Sequence, residues 1–237
     1  MKSKEQIKNE LSQQYFGKEA EEYDLDRTKD SRIKEVLKKQ KEIIKFYLES
    51  SGKGKILDVA CGTGYYFESY PQKEIYGIDI SKEMLAHAKG KRNVVSVQVA
   101  DAEKLPFKDN FFDATISTRF IMHIPNHKKV IEEMVRVTKP GGKIVFDFPN
   151  KHCMSYLPTQ IRLLRGKLRC YNMFTRKSIQ KIARDNNLEI KGLSGNVFFT
   201  PLIFPKSFLK FSMFFNGFLL KLFPSFTYVF FTCFEKR

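Results

Sequence analysis

Ile56-Leu57-Asp58-Val59-Ala60-Cys61-Gly62-Thr63-Gly64 is a short apolar strand that runs into a glycine-rich turn. The next apolar run, Ile75-Tyr76-Gly77-Ile78-Asp79, ends in an acid. This pairing describes a nucleotide-like ligand held at the carboxyl edge of a parallel sheet. Gly62 and Gly64 let the backbone turn sharply and approach a ligand without a Cβ in the way. Asp79, at the tip of the second strand, is placed to accept hydrogen bonds from both hydroxyls of a ribose.

Two departures from the dinucleotide fingerprint narrow the ligand. Phe67 stands where the third glycine of G-x-G-x-x-G is expected, beside a pyrophosphate. Asp58, four residues before Gly62, would repel a pyrophosphate and suits an amino-bearing ligand. S-adenosylmethionine, with an adenosine, no phosphate and a cationic amino-acid tail, fits both.

Further motifs follow in order: Gly77-Ile78-Asp79-Ile80-Ser81, Val99-Ala100-Asp101-Ala102-Glu103-Lys104-Leu105-Pro106-Phe107, Phe111-Phe112-Asp113-Ala114-Thr115-Ile116-Ser117 and Lys139-Pro140-Gly141-Gly142-Lys143-Ile144-Val145-Phe146. With the opening stretch, they make the chain resemble class I S-adenosylmethionine-dependent methyltransferases. The likeness is to the small-molecule (type 11-like) branch, over about residues 55 to 150. The resemblance implies a Rossmann-like methyltransferase fold, an α/β doubly wound, mainly parallel seven-stranded sheet. Helices cover both faces, and the antiparallel last strand inserts between its neighbours. It implies that Asp79 holds the ribose, with Ile80 and Met84 flanking ribose and adenine. Asp101 accepts from the adenine amino group and Ala102 offers its backbone amide. Ala60, Cys61, Gly62, Gly64 and Ser117 line the methionine portion, and Asp58 faces its ammonium.

Strand–helix alternation independently indicates a parallel sheet covered by helices. Strands are expected at 55–60, 75–80, 94–100, 113–118, 142–148, 188–199 and 226–235. Helices are expected at 64–70, 82–90, 127–138 and 176–186. Ser31 to Glu49 carries apolar residues at helical spacing, with Asp30 or Ser31 as cap and Gly52 at the end. Three parts emerge: an N-terminal helical lid or cap (1–54), the cofactor-binding core (55–150) and a C-terminal part of the same domain (151–237). In resembling enzymes the N-terminal segment folds over the cofactor cleft, which would place Tyr15, Tyr23 and Arg27 near the methionine end or the acceptor.

His123 follows the fourth strand and is the general-base candidate, since an unperturbed imidazole titrates near neutrality. A role in shaping the cofactor pocket stays open beside it. Arg119 is placed to bind an acidic group of the acceptor. Asn150, His152, Tyr156 and Arg162 follow the fifth strand and are candidates to line the acceptor site.

The four cysteines and four histidines show no metal-ligand spacing, and neither a metal nor disulfides are expected. The N-terminus lacks a signal-peptide core, and no uncharged run is long enough for a membrane span. A cytoplasmic protein is expected, with peripheral association with the inner face of the membrane left open.

The net charge of +16 is uneven. Residues 56–138 hold 11 basic and 11 acidic side chains, whereas residues 139–237 hold 17 basic and 4 acidic. A basic surface of this kind suits an anionic membrane, an acidic carrier, a charged acceptor or nucleic acid, or is simply solvated. Thirteen of the 23 phenylalanines lie from residue 198 onward. Within a Phe-rich insertion at about 200–225, Phe208, Phe211, Phe215, Phe218 and Leu222 share one helical face. Such a helix needs a cover: an apolar acceptor, a membrane interface, a second copy or the domain's own core.

The preferred expectation is methyl transfer to O, N or C of a small or lipid-like acceptor. An RNA methyltransferase using the basic C-terminal third is the alternative, and a non-catalytic cofactor-binding protein the third reading. Oligomeric state is open.

Overall fold

The computed structural model describes residues 6, 18–49, 52, 54–70, 73–153, 156–166, 170–195, 207 and 209–237. Tyr15, residues 196–206 and Phe208 fall outside these.

Seven strands form one sheet: β1 (Gly54–Val59), β2 (Lys73–Asp79), β3 (Val94–Val99), β4 (Phe112–Ser117), β5 (Thr138–Pro149), β6 (Leu188–Gly195) and β7 (Val229–Lys236). Their order is β3-β2-β1-β4-β5-β7-β6. The pairings from β3 to β5 are parallel, and β7 runs antiparallel between β5 and β6, as expected. The strand order reverses at β1, so the carboxyl ends of β1 and β4 diverge there and leave a crevice.

The helices are α1 (Lys18–Thr28), α2 (Ser31–Glu49), α3 (Lys82–Ala88), α4 (His127–Val137), α5 (Tyr156–Leu164), α6 (Arg176–Asp185) and α7 (Leu209–Leu222). Asp30 starts α2, its carboxylate accepting from the Arg32 amide at 2.9 Å. Gly52 follows the helix with φ 58°, the left-handed conformation glycine adopts without strain. Ser81 caps α3 by accepting from the Met84 amide, and Thr175 and Ser178 form a capping box on α6.

Both faces of the sheet are buried. One core joins Leu57, Phe112 and Phe146 to Val130 and Met134 of α4 and Ile179 of α6. The other joins Ile56, Ile116 and Val145 to Ile44 and Leu48 of α2. β7 shows why the tail is so aromatic: Phe230 and Phe234 enter the first core, Phe231 and Cys233 the second. A strand flanked on both sides and covered on both faces has no polar side. Each of these phenylalanines contributes about 1.5–3 kcal/mol by burial.

The helix expected at 64–70 is not formed. Gly62 and Gly64 take φ 54° and 70°, and the chain continues through turns into a 3-10 turn at Phe67–Ser69. The bonds from Phe67 N to Gly64 O and from Tyr70 N to Phe67 O span three residues. Left-handed glycines delay helical geometry, and little chain remains before β2. Two strand starts also differ. β5 begins at Thr138, pairing with Phe112 before a register shift, and β7 begins at Val229 because Pro224–Phe226 form a 3-10 turn.

Candidate active site

The glycine turn is held by side chains around it. Asp79 reaches across from β2, and its two oxygens accept from the Gly62 amide at 2.8 Å and the Ser81 amide at 3.0 Å. The carboxylate is therefore fixed in orientation at the mouth of the crevice. Burial raises its pKa, and the bonds from the Ser81, Gly62 and Ile80 amides oppose that rise. Ala60, at φ 61°, turns the chain out of β1 in a conformation that costs a residue with a Cβ about 1–2 kcal/mol. A Cβ on Gly64 would stand 2.7 Å from the Phe67 ring. Phe67 thus fills the space beneath the turn, and Gly64 accommodates it.

Asp58 is buried at the end of β1. One oxygen accepts from the Tyr70 hydroxyl at 2.7 Å, while Oδ1 is buried without a hydrogen-bond partner. Burial raises its pKa to about 7, with the Tyr70 bond opposing and the nearby Asp79 charge adding to the rise. A buried, half-satisfied carboxylate is costly, and a cationic group would satisfy it.

The other cofactor-site candidates surround this pair. Ile80 is exposed beside Asp79, and Met84 is buried with its Cε 3.3 Å from the position a Gly62 Cβ would take. The Cys61 amide donates to the Ile78 carbonyl, and the Ser117 hydroxyl donates to the Val59 carbonyl. Asp101 is exposed, its carboxylate closing a turn by accepting from the Glu103 amide, and Ala102 is buried beneath it.

Sequence reading missed the support of this last loop. Arg136 on α4 donates to the carbonyls of Leu105 and Phe107 and to Asp109 and Glu133, and Glu133 accepts from the Leu105 amide. An i, i+3 Glu–Arg pair looks like ordinary helix surface in a sequence, so nothing local signals the role.

A second group lies beyond β4 and β5. Arg119 has φ 58°, and its amide donates to the buried Asp147 carboxylate at 2.7 Å. Its side chain is exposed. Desolvation opposes its charge, but Tyr66, Tyr23, Asp147 and Tyr228 outweigh that and raise its pKa. His123 packs edge-on against Tyr171 with ring centroids 5.5 Å apart. Burial lowers the His123 pKa, the Cys170 backbone bond opposes this, and the Arg119 charge adds to it, so the ring is neutral at pH 7. Burial also pushes the Tyr171 hydroxyl far up, with Tyr228 bonded to it.

Tyr23 lies near enough to Arg119 to favour its charge, and Arg119 near enough to His123 to oppose protonation of the ring. Tyr156 sits apart at the start of α5, near Lys151. Asn150 is a structural tie, its amide side chain donating to the Ser225 and Thr227 carbonyls. Tyr66, Asp147, Tyr171 and Tyr228 join this group without a place in any sequence motif. Asp147 had a signal, a lone acid inside the apolar strand Ile144-Val145-Phe146-Asp147-Phe148.

α1 reaches the glycine turn directly. The Thr63 hydroxyl, itself buried, donates to the Asp24 carboxylate, and Lys91 lies 3.9 Å from the same group. Among the described residues no group of three or more His, Cys, Asp or Glu is arranged to hold a metal. No helix among them is long and apolar enough to cross a membrane.

The family model described as a methyltransferase domain matches residues 57–146. That segment is similar to methyltransferase domains. S-adenosylmethionine is the cofactor of that family. The domain contains the glycine turn, Asp58, Asp79, Asp101 and His123. The chain is 39% identical over 100 residues to a ubiquinone/menaquinone biosynthesis C-methyltransferase of Desulfotalea psychrophila, covering 40% of this chain and 41% of that one. It is 39% identical over 130 residues to an uncharacterized protein of Methanocaldococcus jannaschii, covering 55% of this chain and 58% of that one. The matched stretch thus spans about two fifths to three fifths of these relatives' length. A solved Haloferax volcanii putative methyltransferase, in complex with the Trm112 activator, has a TM-score of 0.64 at 15% identity. That likeness covers 91% of this chain and 96% of the other, and carries the fold beyond the matched domain.

Proposed function

We propose that this protein is an S-adenosylmethionine-dependent methyltransferase acting on O, N or C of a small or lipid-like acceptor. The observation that carries the reading is the pair of carboxylates at the glycine turn. Asp79 is locked by two backbone amides, and Asp58 keeps one buried oxygen unsatisfied. A ribose and an ammonium are the complements of these two groups, and the family's cofactor carries both.

When bound, the cofactor supplies a sulfonium methyl as electrophile, and the residues of the chain orient and desolvate. Asp79 accepts from the ribose hydroxyls and Asp58 Oδ1 faces the ammonium. Ile80 and Met84 flank the ribose and adenine, Asp101 accepts from the adenine amino group, and Ala102 offers its backbone amide to the ring. Ala60, Cys61, Gly62, Gly64 and Ser117 line the methionine part. Residues 1–54 act partly as a lid, through α1 and its Asp24 contact to Thr63.

The acceptor enters between α1 and the carboxyl ends of β4 and β5. Arg119, exposed beside Tyr23 and Asp147, pairs with an acidic or enolate group of the acceptor. His123, neutral at pH 7, is able to take a proton from a protonated nucleophile. The reading places the protein in the cytoplasm or peripherally at the inner face of the membrane. The alternative, an RNA acceptor, rests on the basic side chains of residues 162–184. Against it, exposed Leu164 lies between Arg162 and Arg165, and no signature for exocyclic amines of bases follows the fourth strand.

Isothermal titration with S-adenosylmethionine, followed by incubation with methyl-labelled cofactor and either lipid extract or total RNA, tests the reading. Binding together with label in the organic phase supports it. Label in RNA favours the alternative. Absence of cofactor binding overturns both.

A further inference from the structure

α7 is amphipathic in the wrong sense for a helix that serves only its own fold. Its one polar uncharged mid-helix amide, Asn216, is 1% exposed, and Leu220 approaches the sheet end near Gly195. The opposite stripe, Phe211, Phe214, Phe218 and Leu222, faces solvent, with Phe214 73% exposed. These four positions fall within one face of the helix at spacings of three and four. Lys210 and Lys221 border the stripe on one side, and the helix contains no acid.

α5 repeats the pattern. Leu157, Ile161 and Leu164 recur at spacings of four and three, all exposed, with Leu164 at 88%. Arg162 lies among them and Arg165 follows the helix, and α5 also lacks an acid.

The two helices belong to one end of the molecule. α5 follows the carboxyl end of β5, and α7 leads into the start of β7, which pairs Val229 with Pro149. Asn150 ties the two connections through its bonds to Ser225 and Thr227. Because β1, β4 and β5 are parallel, this is also the edge that carries the glycine turn and Arg119.

We propose that the outward stripes of α5 and α7 dock on an anionic lipid bilayer. The phenylalanines and leucines enter the acyl boundary, and the flanking lysines and arginines meet the headgroup phosphates. Neither helix is long enough to span a bilayer, and a flanked apolar stripe is the form of an interfacial helix. Charge selects this occupant over a second copy of the chain. Lys210, Lys221, Arg162 and Arg165 border the stripes and neither helix holds an acid, so two such faces repel each other and an anionic surface attracts both. The docked face places the site's mouth at the bilayer, where a lipid-phase acceptor is reached without crossing water. The docking stands on the surface itself and not on the catalytic reading, and cofactor affinity measured on the same preparations keeps the two apart.

The test is co-sedimentation of the full chain with phosphatidylcholine vesicles and with mixed phosphatidylcholine–phosphatidylglycerol vesicles over a salt series. The mixed vesicles should bind about tenfold or more tightly, with a component that persists at high salt. The double variant F214S/F218S should lose about tenfold or more in vesicle binding, with thermal stability and cofactor affinity unchanged. K210E/K221E should remove the preference for anionic vesicles and flatten the salt dependence. Equal vesicle binding by wild type and F214S/F218S overturns the proposal. So does a lack of binding to mixed vesicles at low salt. A dimer in light scattering that F214S/F218S dissociates, without vesicle binding, assigns the surface to a second copy instead.

Discussion

The Thr63 hydroxyl, at the centre of the glycine turn, donates to both carboxylate oxygens of Asp24 on α1, at 2.8 and 3.0 Å. The N-terminal helix and the turn that approaches the ligand are thus one unit. Replacing Thr63 by Val keeps the shape and removes the donor. A hydrogen bond to a charged, partly exposed acceptor is worth about 1–2 kcal/mol. The variant should lose roughly that much stability. Limited proteolysis within residues 18–28 should speed up several-fold, and cofactor affinity should fall several-fold. An unchanged proteolysis rate would mean that α1 is held by its packing alone.

Asp79 has two tasks: bracing the Gly62 and Ser81 amides and, in the proposed function, holding the ribose. Asp79→Ala removes both and should weaken S-adenosylmethionine binding by about 1.5–3 kcal/mol, or roughly tenfold to a hundredfold. Asp79→Asn is the informative companion. Its oxygen still accepts one amide, but its NH2 opposes the other, so the turn loosens while volume is kept. Titration calorimetry should rank affinity as wild type, then Asn, then Ala. Equal affinity across the three would remove Asp79 from the cofactor site.

Arg136 ties α4 to the loop that carries Asp101 and Ala102, through the Leu105 and Phe107 carbonyls. Its neighbours Glu133 and Asp109 raise its pKa, and it stays charged at all working pH values. Arg136→Ala leaves two loop carbonyls and Glu133 without their donor and should cost about 2–3 kcal/mol of stability. Arg136→Lys recovers little, because one ammonium cannot serve both carbonyls and both carboxylates. Denaturant midpoints of the two variants decide this, and a full rescue by Lys would show that charge alone matters.

The cofactor half of this fold was readable because its motifs are local. A strand, two left-handed glycines and a strand-end acid are dictated by neighbouring residues, and Asp79 lies where Leu57–Gly64 and Gly77–Ser81 require it. The helix expected at 64–70 does not form because the left-handed Gly62 and Gly64 start the segment out of helical geometry. The acceptor side was only partly readable. Asp147 and Tyr228 meet Arg119 through pairing of β5 with β7, a contact between residues about 80 apart that no local pattern encodes, and Tyr171 joins them from the loop before α6. The face expected from periodicity, Phe208, Phe211, Phe215, Phe218 and Leu222, matches the outward stripe of α7 only in part, since Phe214, off that face, is 73% exposed. The direction of the stripe was not readable, because burial of Asn216 is a tertiary outcome.

Asp58 gives the sharpest pH signature. Its folded-state pKa, about 7, stands above its ordinary 3.8. The native state therefore holds a proton that the unfolded chain has lost. The resulting stability is fully present below pH 3.8 and is lost as pH rises through about 7, a span worth on the order of 4 kcal/mol. Asp58→Asn cannot ionise, so the cofactor-free variant should match wild type in acid and exceed it above pH 7 by a few kcal/mol. The ligand reverses the preference, since an ammonium favours the ionised carboxylate. Wild-type affinity for S-adenosylmethionine should rise with pH up to about 7 and then level, with up to one proton released per ligand bound below that pH. Asp58→Asn should bind more weakly and without that dependence. Calorimetry in buffers of different ionisation enthalpy reads the proton directly. A wild-type affinity flat from pH 6 to 8, with no proton released, would place the ammonium away from Asp58.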